Sequence, residues 1–174
     1  MNLQEHFIRK ALTEKCIKFS RIDCDHRNAV SYVDFKKYPL IFPMSLFEVC
    51  QVLKSEKTTE YYFRGVITPQ RKWMYGFKNA TIINSFRGRN GNKFTYDSNY
   101  YIGLSRAKFA LCPVGDCNWS YRLFEAVMCG CIPVIEEHDI FHNVFFHYHK
   151  DDQHIYLPEK AKENLKILES NYLL

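Results

Sequence analysis

The chain has 174 residues, of which 47% are apolar and 16% aromatic, and its formal net charge is +5 at pH 7. This length fits one domain with an adequate core, and the composition excludes a disordered chain. The first residues do not resemble a signal peptide and no segment has the about 18 successive apolar residues of a bilayer span, so we expect a cytoplasmic protein without a transmembrane segment.

The predicted elements begin with helices and continue with strands and helices in alternation. Residues 3–18 and 45–56 have the apolar spacing that is typical of helices, and an irregular aromatic segment separates them. The predicted strands are residues 60–67, 80–86, 108–113 and 132–137. The predicted helices of this second part are residues 69–77, 98–107, 120–130 and the amphipathic segment that begins at residue 158.

This alternation predicts an α/β fold, because strands that alternate with helices form a mainly parallel sheet covered on both faces. Residues 108–113 and 132–137 are apolar almost throughout, as in strands that are buried on both sides. We therefore expect a Rossmann-like, three-layer α/β/α domain over residues 58–174, with a helical or irregular flanking segment over residues 1–57.

The loop after the third predicted strand has the features of an anion site. Gly115 suits a turn, and either Asn118 or Ser120 can cap the helix that follows. Ligands of parallel sheets bind beyond the carboxyl ends of the strands, where free N–H groups at a helix N-terminus attract anions. Arg122 falls in the first helical turn, where the helix dipole disfavours a cation unless an anion binds there. A guanidinium can hold phosphate oxygens through two hydrogen bonds, so we expect Arg122 to bind a diphosphate.

Glu125 lies one helical turn beyond Arg122 and shares a helix face with it. A carboxylate at this position can accept hydrogen bonds from ribose hydroxyls, as acidic residues do in dinucleotide-binding folds. The spacing equally fits an exposed ion pair between the two residues, and the sequence leaves both interpretations open. Gly130 ends the predicted helix and suits a left-handed cap.

Basic residues also follow the first two predicted strands. If those strands are parallel neighbours, their loops open at the same edge of the sheet as the anion site, where basic side chains would surround a diphosphate. Basic residues are common in all loops, but the glycines of "RGRNGNK" (87–93) would also let the backbone approach a ligand. The candidates in these loops are Arg64, Gly65, Arg71, Lys72, Arg87, Arg89 and Lys93.

Two segments carry a resemblance to a known family. They are "YYFRGVITPQRKWM" (61–74) and "RGRNGNKFTYDSNYYIGLSRAKFALCPVGDCNWSYRLFEAVMCGCIPVIEE" (87–137). The most specific part is Cys-Pro and Gly followed by "WSYRLFEAVMCGCIPVI" (119–135). Together the two segments resemble the exostosin-like glycosyltransferases of family 47, in the nucleotide-sugar-binding half of their GT-B fold.

The resemblance implies a glycosyltransferase, or its donor-binding subunit, that transfers a sugar from a nucleoside-diphosphate sugar to an acceptor glycan. It assigns Arg122 to the diphosphate and Glu125 to the ribose. It adds Arg71 as a second phosphate-facing arginine, with Arg64 and Gly65 in the same stretch. GT-B enzymes stabilise the leaving diphosphate with cations and helix dipoles, so the resemblance implies no metal ion and no cofactor besides the donor substrate. The catalytic base stays unassigned.

The length of the chain bears on its partners. At usual domain sizes, 174 residues do not hold both halves of a GT-B enzyme. The acceptor-binding half would come from a separate subunit, from a homodimer or from the reduced segment over residues 1–57.

Other functions and sites have weaker support. A non-catalytic nucleotide or nucleotide-sugar binding module fits the same residues. Binding of single-stranded RNA through "FRGRNGNKF" (86–94) is disfavoured by the small net charge, so we expect no nucleic-acid partner. Asp23 and Asp25 form a D-x-D motif, and five histidines lie between residues 138 and 154. Neither pattern has the context or spacing of a metal site, so we expect no metal.

Overall fold

The computed structural model describes residues 42, 44–85, 98–115, 118–139 and 141–173. The predicted helix over residues 3–18, the motif of Asp23 and Asp25, and the basic residues Arg87, Arg89 and Lys93 lie outside these ranges. The helices and strands are α1 (Met44–Val52), β1 (Thr59–Gly65), a 3₁₀-helix (Pro69–Gly76), β2 (Ala80–Asn84), α2 (Ser98–Arg106), β3 (Ala107–Leu111), α3 (Arg122–Met128), β4 (Ile132–Ile135), β5 (Tyr148–His149) and α4 (Pro158–Asn171).

The described residues form a five-stranded sheet in the order β2-β1-β3-β4-β5, and every neighbouring pair is parallel. The loops that follow the strands therefore open at one edge of the sheet, which we call the carboxyl edge. β3, α3 and β4 form the predicted βαβ unit, in which Phe109 pairs with Ile132. The predicted parallel α/β fold is confirmed.

Helices cover both faces of the sheet. Successive side chains of a strand point to opposite faces, so apolar residues of one strand contribute to a separate cluster on each face. One face carries a cluster with members from β1, β3, α1, α2 and α3, which include Tyr62, Ala110, Leu46, Leu104 and Phe124. The opposite face carries a cluster with members from β1, β3, the 3₁₀-helix and α4, which include Phe63, Phe109, Met74 and Ala161. This is the predicted three-layer architecture. None of the helices in the described part of the chain has the length and apolar character for crossing a bilayer.

The turn from α3 into β4 has the conformation that the sequence predicts. Gly130 adopts a φ of 72°, in the left-handed region that favours glycine. Its amide donates to the carbonyl of Val127 at 2.9 Å, and the amide of Cys131 donates to the carbonyl of Ala126 at 2.9 Å. These two bonds form a Schellman motif, which ends α3 and turns the chain directly into β4.

Two elements differ in detail from the sequence prediction. The helical segment that begins at Pro69 is a 3₁₀-helix. The short strand β5 is absent from the prediction, because two half-buried residues, Tyr148 and His149, have no alternating pattern to detect. β5 pairs with β4 and extends the sheet by one strand.

The segment before residue 58 packs against the α/β domain. Phe42 forms a parallel bridge with Leu173, and Nε2 of Gln51 in α1 donates to the carbonyl of Met128 at 2.8 Å. These contacts attach the described part of the flanking segment to α3 and to the end of α4. The division of the chain at residue 57 stays a prediction.

Candidate functional site

Trp119 holds the loop between β3 and α3 in place. Its side chain is fully buried, and its ring contacts the rings of Tyr121 and Phe141 with centroids 5.0 and 5.3 Å apart. The amide of Gly115 donates to the carbonyl of Trp119 at 3.0 Å and closes the loop. This packing fixes the place where α3 begins, and with it the position of Arg122 at the carboxyl edge.

The structure at the start of α3 contradicts the prediction that Asn118 or Ser120 caps this helix. Tyr121 is the N-cap residue with a helical backbone, and its side chain makes no capping hydrogen bond. Asn118 is exposed, whereas Ser120 is 7% exposed and its hydroxyl has no hydrogen-bond partner among the described residues. Neither caps the helix, because backbone bonds replace the cap: the amides of Leu123 and Phe124 donate to the carbonyls of residues 120 and 121 at 3.2 and 3.1 Å. Ligand contacts of Asn118 and Ser120 stay a prediction.

The guanidinium of Arg122 lies half-buried between aromatic rings at the carboxyl edge. Its Cζ is 4.1 Å from the ring centroid of Phe63 on β1 and 5.6 Å from that of Tyr100 on α2. Nη2 donates to the carbonyl of Arg64 at 2.9 Å, and Nε donates to the hydroxyl oxygen of Tyr100 at 3.4 Å. Burial acts to lower the pKa of Arg122, but its neighbours, led by Tyr100, raise the pKa above its usual value, so the guanidinium stays charged.

The charge of Arg122 has no direct counterion within the described ranges. The ion pairs between described residues involve other cations, namely Lys108, Lys150 and Lys160. A half-buried cation without a carboxylate partner loses hydration that an ion pair would replace. The arrangement can therefore accept an anion at Arg122, beyond the ends of β1 and β3.

Glu125 faces the interior of the domain. It is 7% exposed, its Oε2 accepts a hydrogen bond from the hydroxyl of Tyr100 at 2.6 Å, and its Oε1 accepts one from the hydroxyl of Tyr101 at 3.0 Å. The interpretation of Arg122 and Glu125 as an exposed ion pair is wrong, because two tyrosines of α2 enclose the carboxylate. Its contact with a ribose stays a prediction.

Tyr100 and Tyr101 are contacts of Glu125 that the sequence does not reveal. The predicted helix over residues 98–107 contains them, but aromatic residues in a helix are typical of core packing, and spacing within one helix cannot link them to Glu125 in another. One signal could have identified them. The helix that carries Glu125 is apolar enough to be buried, and a buried carboxylate needs hydrogen-bond donors from a neighbouring element. Burial, and then the charge of Glu125, raise the pKa of both tyrosines well above the usual value, so both stay hydroxyl donors.

Gly65 is required by the close approach of Arg122. A Cβ atom at Gly65 would lie 2.7 Å from Nη2 of Arg122, so any larger residue would displace the guanidinium. The preceding residue, Arg64, contributes its carbonyl to the same nitrogen. The end of β1 thus helps to hold Arg122, while direct contacts of Arg64 and Gly65 with a ligand stay a prediction.

Arg71 links two loops at the carboxyl edge. From the 3₁₀-helix, its Nη1 donates to the carbonyl of Val66 at 2.8 Å, and its Nη2 donates to the carbonyl of Val114 at 3.3 Å. Val66 follows β1 and Val114 follows β3, so the structure brings Arg71 to the same edge as Arg122. Arg89, the remaining candidate of these loops, lies outside the described residues.

A second buried carboxylate lies in the loop after β4. Asp139 is 1% exposed, and its Oδ1 accepts a hydrogen bond from the amide of Phe141 at 2.9 Å, whereas Oδ2 has no hydrogen-bond partner among the described residues. Burial raises the pKa of Asp139 to about 6, although the bond from Phe141 acts in the opposite direction. The sequence does not single out Asp139, because it ends the charged run "EEHD" (136–139), which resembles a solvated loop.

The histidine-rich segment does not form a metal site in the described part of the chain. No group of three or more His, Cys, Asp or Glu side chains there is arranged to hold a metal ion. His138 and His142 are exposed, and His147, His149 and His154 are half-buried.

Comparison with known proteins places the chain in a family. The family model described as the exostosin GT47 domain matches residues 3–160. The chain is 37% identical over 86 residues to the probable glucuronosyltransferase GUT1 of Oryza sativa subsp. japonica, and equally identical to the probable beta-1,4-xylosyltransferase IRX10 of Arabidopsis thaliana. Each of these matches covers 45% of this chain and 21% of the relative.

A further relative gives a longer match. Another probable glucuronosyltransferase of Oryza sativa subsp. japonica is 34% identical over 110 residues, which are 59% of this chain and 26% of that protein. The chain therefore matches about a fifth to a quarter of the length of these relatives. Because the family model covers most of the sequence and the parallel α/β fold agrees with it, the chain belongs to the exostosin GT47 domain family.

Proposed function

We propose that this chain is the nucleotide-sugar-binding part of a glycosyltransferase with a GT-B fold. The observation that carries the proposal is the half-buried guanidinium of Arg122, which has no carboxylate ion pair among the described residues and lies at the carboxyl edge of a parallel sheet. Such edges bind ligands in α/β folds. Membership of the GT47 family supports a diphosphate-linked sugar as the anion that binds there.

In the proposed reaction, an acceptor hydroxyl attacks the anomeric carbon, and the bond from that carbon to the diphosphate breaks. The nucleoside diphosphate leaves with the electron pair, and Arg122 stabilises the charge that develops on its oxygens. A cation that is already oriented needs no reorganisation when the charge appears. We assign Glu125 to the ribose hydroxyls and Arg71 to a second phosphate contact, and we propose a reaction without a metal ion. The base that takes the acceptor proton stays unassigned.

The relatives suggest which sugar is transferred. Their names describe glucuronosyl and xylosyl transfer. We therefore propose a glucuronosyl or xylosyl group as the transferred sugar and a glycan as the acceptor.

A second candidate function is a non-catalytic nucleotide-sugar binding module. The observation in its favour is that the contacts seen at Arg122 and Glu125 suit a diphosphate and a ribose, and that none of the described residues is assigned to the acceptor or to the removal of its proton. The partner of such a module would be a separate acceptor-binding subunit or a second copy of this chain. The oligomeric state and the cytoplasmic location stay predictions.

A thermal-shift screen with UDP-sugars and GDP-sugars, followed by transfer assays with oligosaccharide acceptors, tests the proposal on the purified chain. We expect one class of nucleotide sugar to raise the unfolding temperature and to yield free nucleoside diphosphate and an extended glycan. Binding without turnover, even with added partner subunits, would favour the module. Salt-sensitive binding of an oligonucleotide, with no response to any nucleotide sugar, would contradict both functions.

A further inference from the structure

We propose that Tyr100 is a positioning residue for the diphosphate, because its hydroxyl fixes the orientation of Arg122 and couples Arg122 to Glu125. The inference rests on the proposed function, since it concerns the same site. Tyr100 acts through Arg122 and is not assigned any contact with the ligand.

The hydroxyl of Tyr100 stands between a cation and a carboxylate. Its oxygen accepts a hydrogen bond from Nε of Arg122 at 3.4 Å, and its proton is donated to Oε2 of Glu125 at 2.6 Å. Arg122 and Glu125 both belong to α3, whereas Tyr100 belongs to α2. The charged pair of α3 is therefore joined through a neutral group from another helix.

The direction of each hydrogen bond follows from the single proton of a tyrosine hydroxyl. Because Glu125 receives that proton, the oxygen of Tyr100 can only accept a bond from Arg122. Hydrogen bonds in such a chain polarise and strengthen one another. Nε of Arg122 is thus directed at Tyr100, while Nη2 is directed at the carbonyl of Arg64 at 2.9 Å.

Two hydrogen bonds in different directions fix the plane of the guanidinium. The ring of Phe63 supports one face of that plane, 4.1 Å from Cζ of Arg122. Nη1 is the nitrogen that neither bond uses, and we assign it the first contact with a phosphate oxygen. A guanidinium that is already oriented loses less conformational freedom when an anion binds. Loss of the Tyr100 hydroxyl should therefore weaken anion binding while leaving the charge of Arg122 in place.

The chain contains a matched control in the next residue. Tyr101 also donates to Glu125, at 3.0 Å, and burial raises the pKa of its hydroxyl in the same way. The hydrogen bonds of the Arg122 side chain to described residues, however, reach Tyr100 and Arg64 and not Tyr101. The variants Tyr100→Phe and Tyr101→Phe each remove one donor to Glu125, but only Tyr100→Phe removes an acceptor from Arg122.

Calorimetric titration with inorganic pyrophosphate, UDP and GDP tests the proposal on the full chain. Pyrophosphate has no ribose, so its affinity reports the phosphate contacts without the ribose contact that we assign to Glu125. We expect Tyr100→Phe to bind pyrophosphate roughly three- to tenfold more weakly than the wild type, the range for loss of one hydrogen bond. We expect Tyr101→Phe to bind it with the wild-type affinity. The unfolding temperatures of the two ligand-free variants should fall by similar amounts.

The outcomes separate this inference from the proposed function. If Arg122→Ala abolishes binding but the two tyrosine variants bind pyrophosphate equally, Tyr100 has only a structural role and the inference is overturned. If the wild type binds neither pyrophosphate nor UDP nor GDP, or if Arg122→Ala binds these ligands unchanged, the proposed function fails and the inference fails with it.

Discussion

Arg122 combines a half-buried side chain, a positive charge and a position at the carboxyl edge of the sheet. Its contact with the ring of Phe63 contributes roughly 0.5–2 kcal/mol, and its bond to the carbonyl of Arg64 contributes about 1.5 kcal/mol or more because one partner is charged. These contacts hold the guanidinium but do not neutralise it. A bound diphosphate would supply the missing negative charge, which is why we place the donor there.

Glu125→Gln tests the assignment of this residue to the ribose. A glutamine side chain keeps the size of glutamate but replaces one acceptor oxygen with an NH₂ group. We expect the affinity for UDP to fall by roughly three- to tenfold, since hydrogen bonds from the ribose lose a charged acceptor. The affinity for pyrophosphate should fall by less. Equal losses for both ligands in calorimetric titrations would show that Glu125 supports the phosphate contacts alone.

The raised pKa of Asp139 makes the free energy of unfolding depend on pH. Its pKa is raised from 3.8 to about 6 in the folded chain, so between these values the folded state holds a proton that the unfolded state has lost. The free energy of unfolding should therefore fall as the pH rises from about 4 to about 6, by up to about 3 kcal/mol for this group. His138 and His142 lower this pKa and Glu136 raises it, which makes the size of the effect depend on their charges.

Asp139→Asn checks this dependence in urea titrations at several pH values. The variant should lose most of the pH slope between 4 and 6, because asparagine does not titrate. Asp151→Asn is the matched control, since the Asp151 side chain is 83% exposed and lies 3.9 Å from the ammonium group of Lys150. A control that flattens the slope as much as Asp139→Asn would assign the effect to other groups.

At the scale of elements, Lys57 joins two helix ends. Its Nζ donates to the carbonyl of Ser105 in the last turn of α2 at 2.9 Å, and to the carbonyl of Cys129, just after α3, at 2.8 Å. Helix C-termini carry partial negative charge and unpaired carbonyls, so one ammonium group satisfies both ends. Because α2 carries Tyr100 and α3 carries Arg122, Lys57 holds together the two helices of the candidate site.

Lys57→Met should destabilise the fold by about 2–3 kcal/mol. The methionine keeps much of the apolar stem but leaves two carbonyls without a charged donor. Lys54→Met is the control, because Lys54 is exposed and its change should cost less than about 0.5 kcal/mol. Equal midpoints of chemical unfolding for the two variants would contradict the role of Lys57.

At the scale of the whole molecule, sequence patterns predict what depends on local regularity. The alternation of apolar strands with helices predicts the parallel sheet, and Gly130 predicts its own left-handed turn. Contacts between side chains of different elements could not be predicted in this way. Nothing in the spacing of Tyr100 or Lys57 indicates which groups of other elements their side chains contact, because tertiary packing decides those contacts. The capping prediction for Ser120 is wrong for the same reason, since the packing of Trp119 brings the chain into α3 through backbone bonds.

The parallel order of the strands brings basic residues from distant parts of the chain to one edge. Arg71 lies before β2 and Arg122 lies after β3, yet both contact loops or strand ends at the carboxyl edge. The opposite edge of the sheet, where the strands begin, also has a basic residue nearby. Arg106 is exposed at the end of α2, directly before β3 begins, so its charge lies at the edge away from the candidate site.

The most direct test of the account is a titration of the wild type, Arg122→Ala and Arg106→Ala with UDP and GDP. Both variants remove one positive charge, but only Arg122→Ala removes it from the carboxyl edge. We predict that Arg122→Ala binds the preferred nucleotide about 10- to 100-fold more weakly, as expected for loss of a charge-assisted contact, and that Arg106→Ala binds like the wild type. Unchanged affinity in a folded Arg122→Ala variant, or an equal loss in both variants, would contradict it.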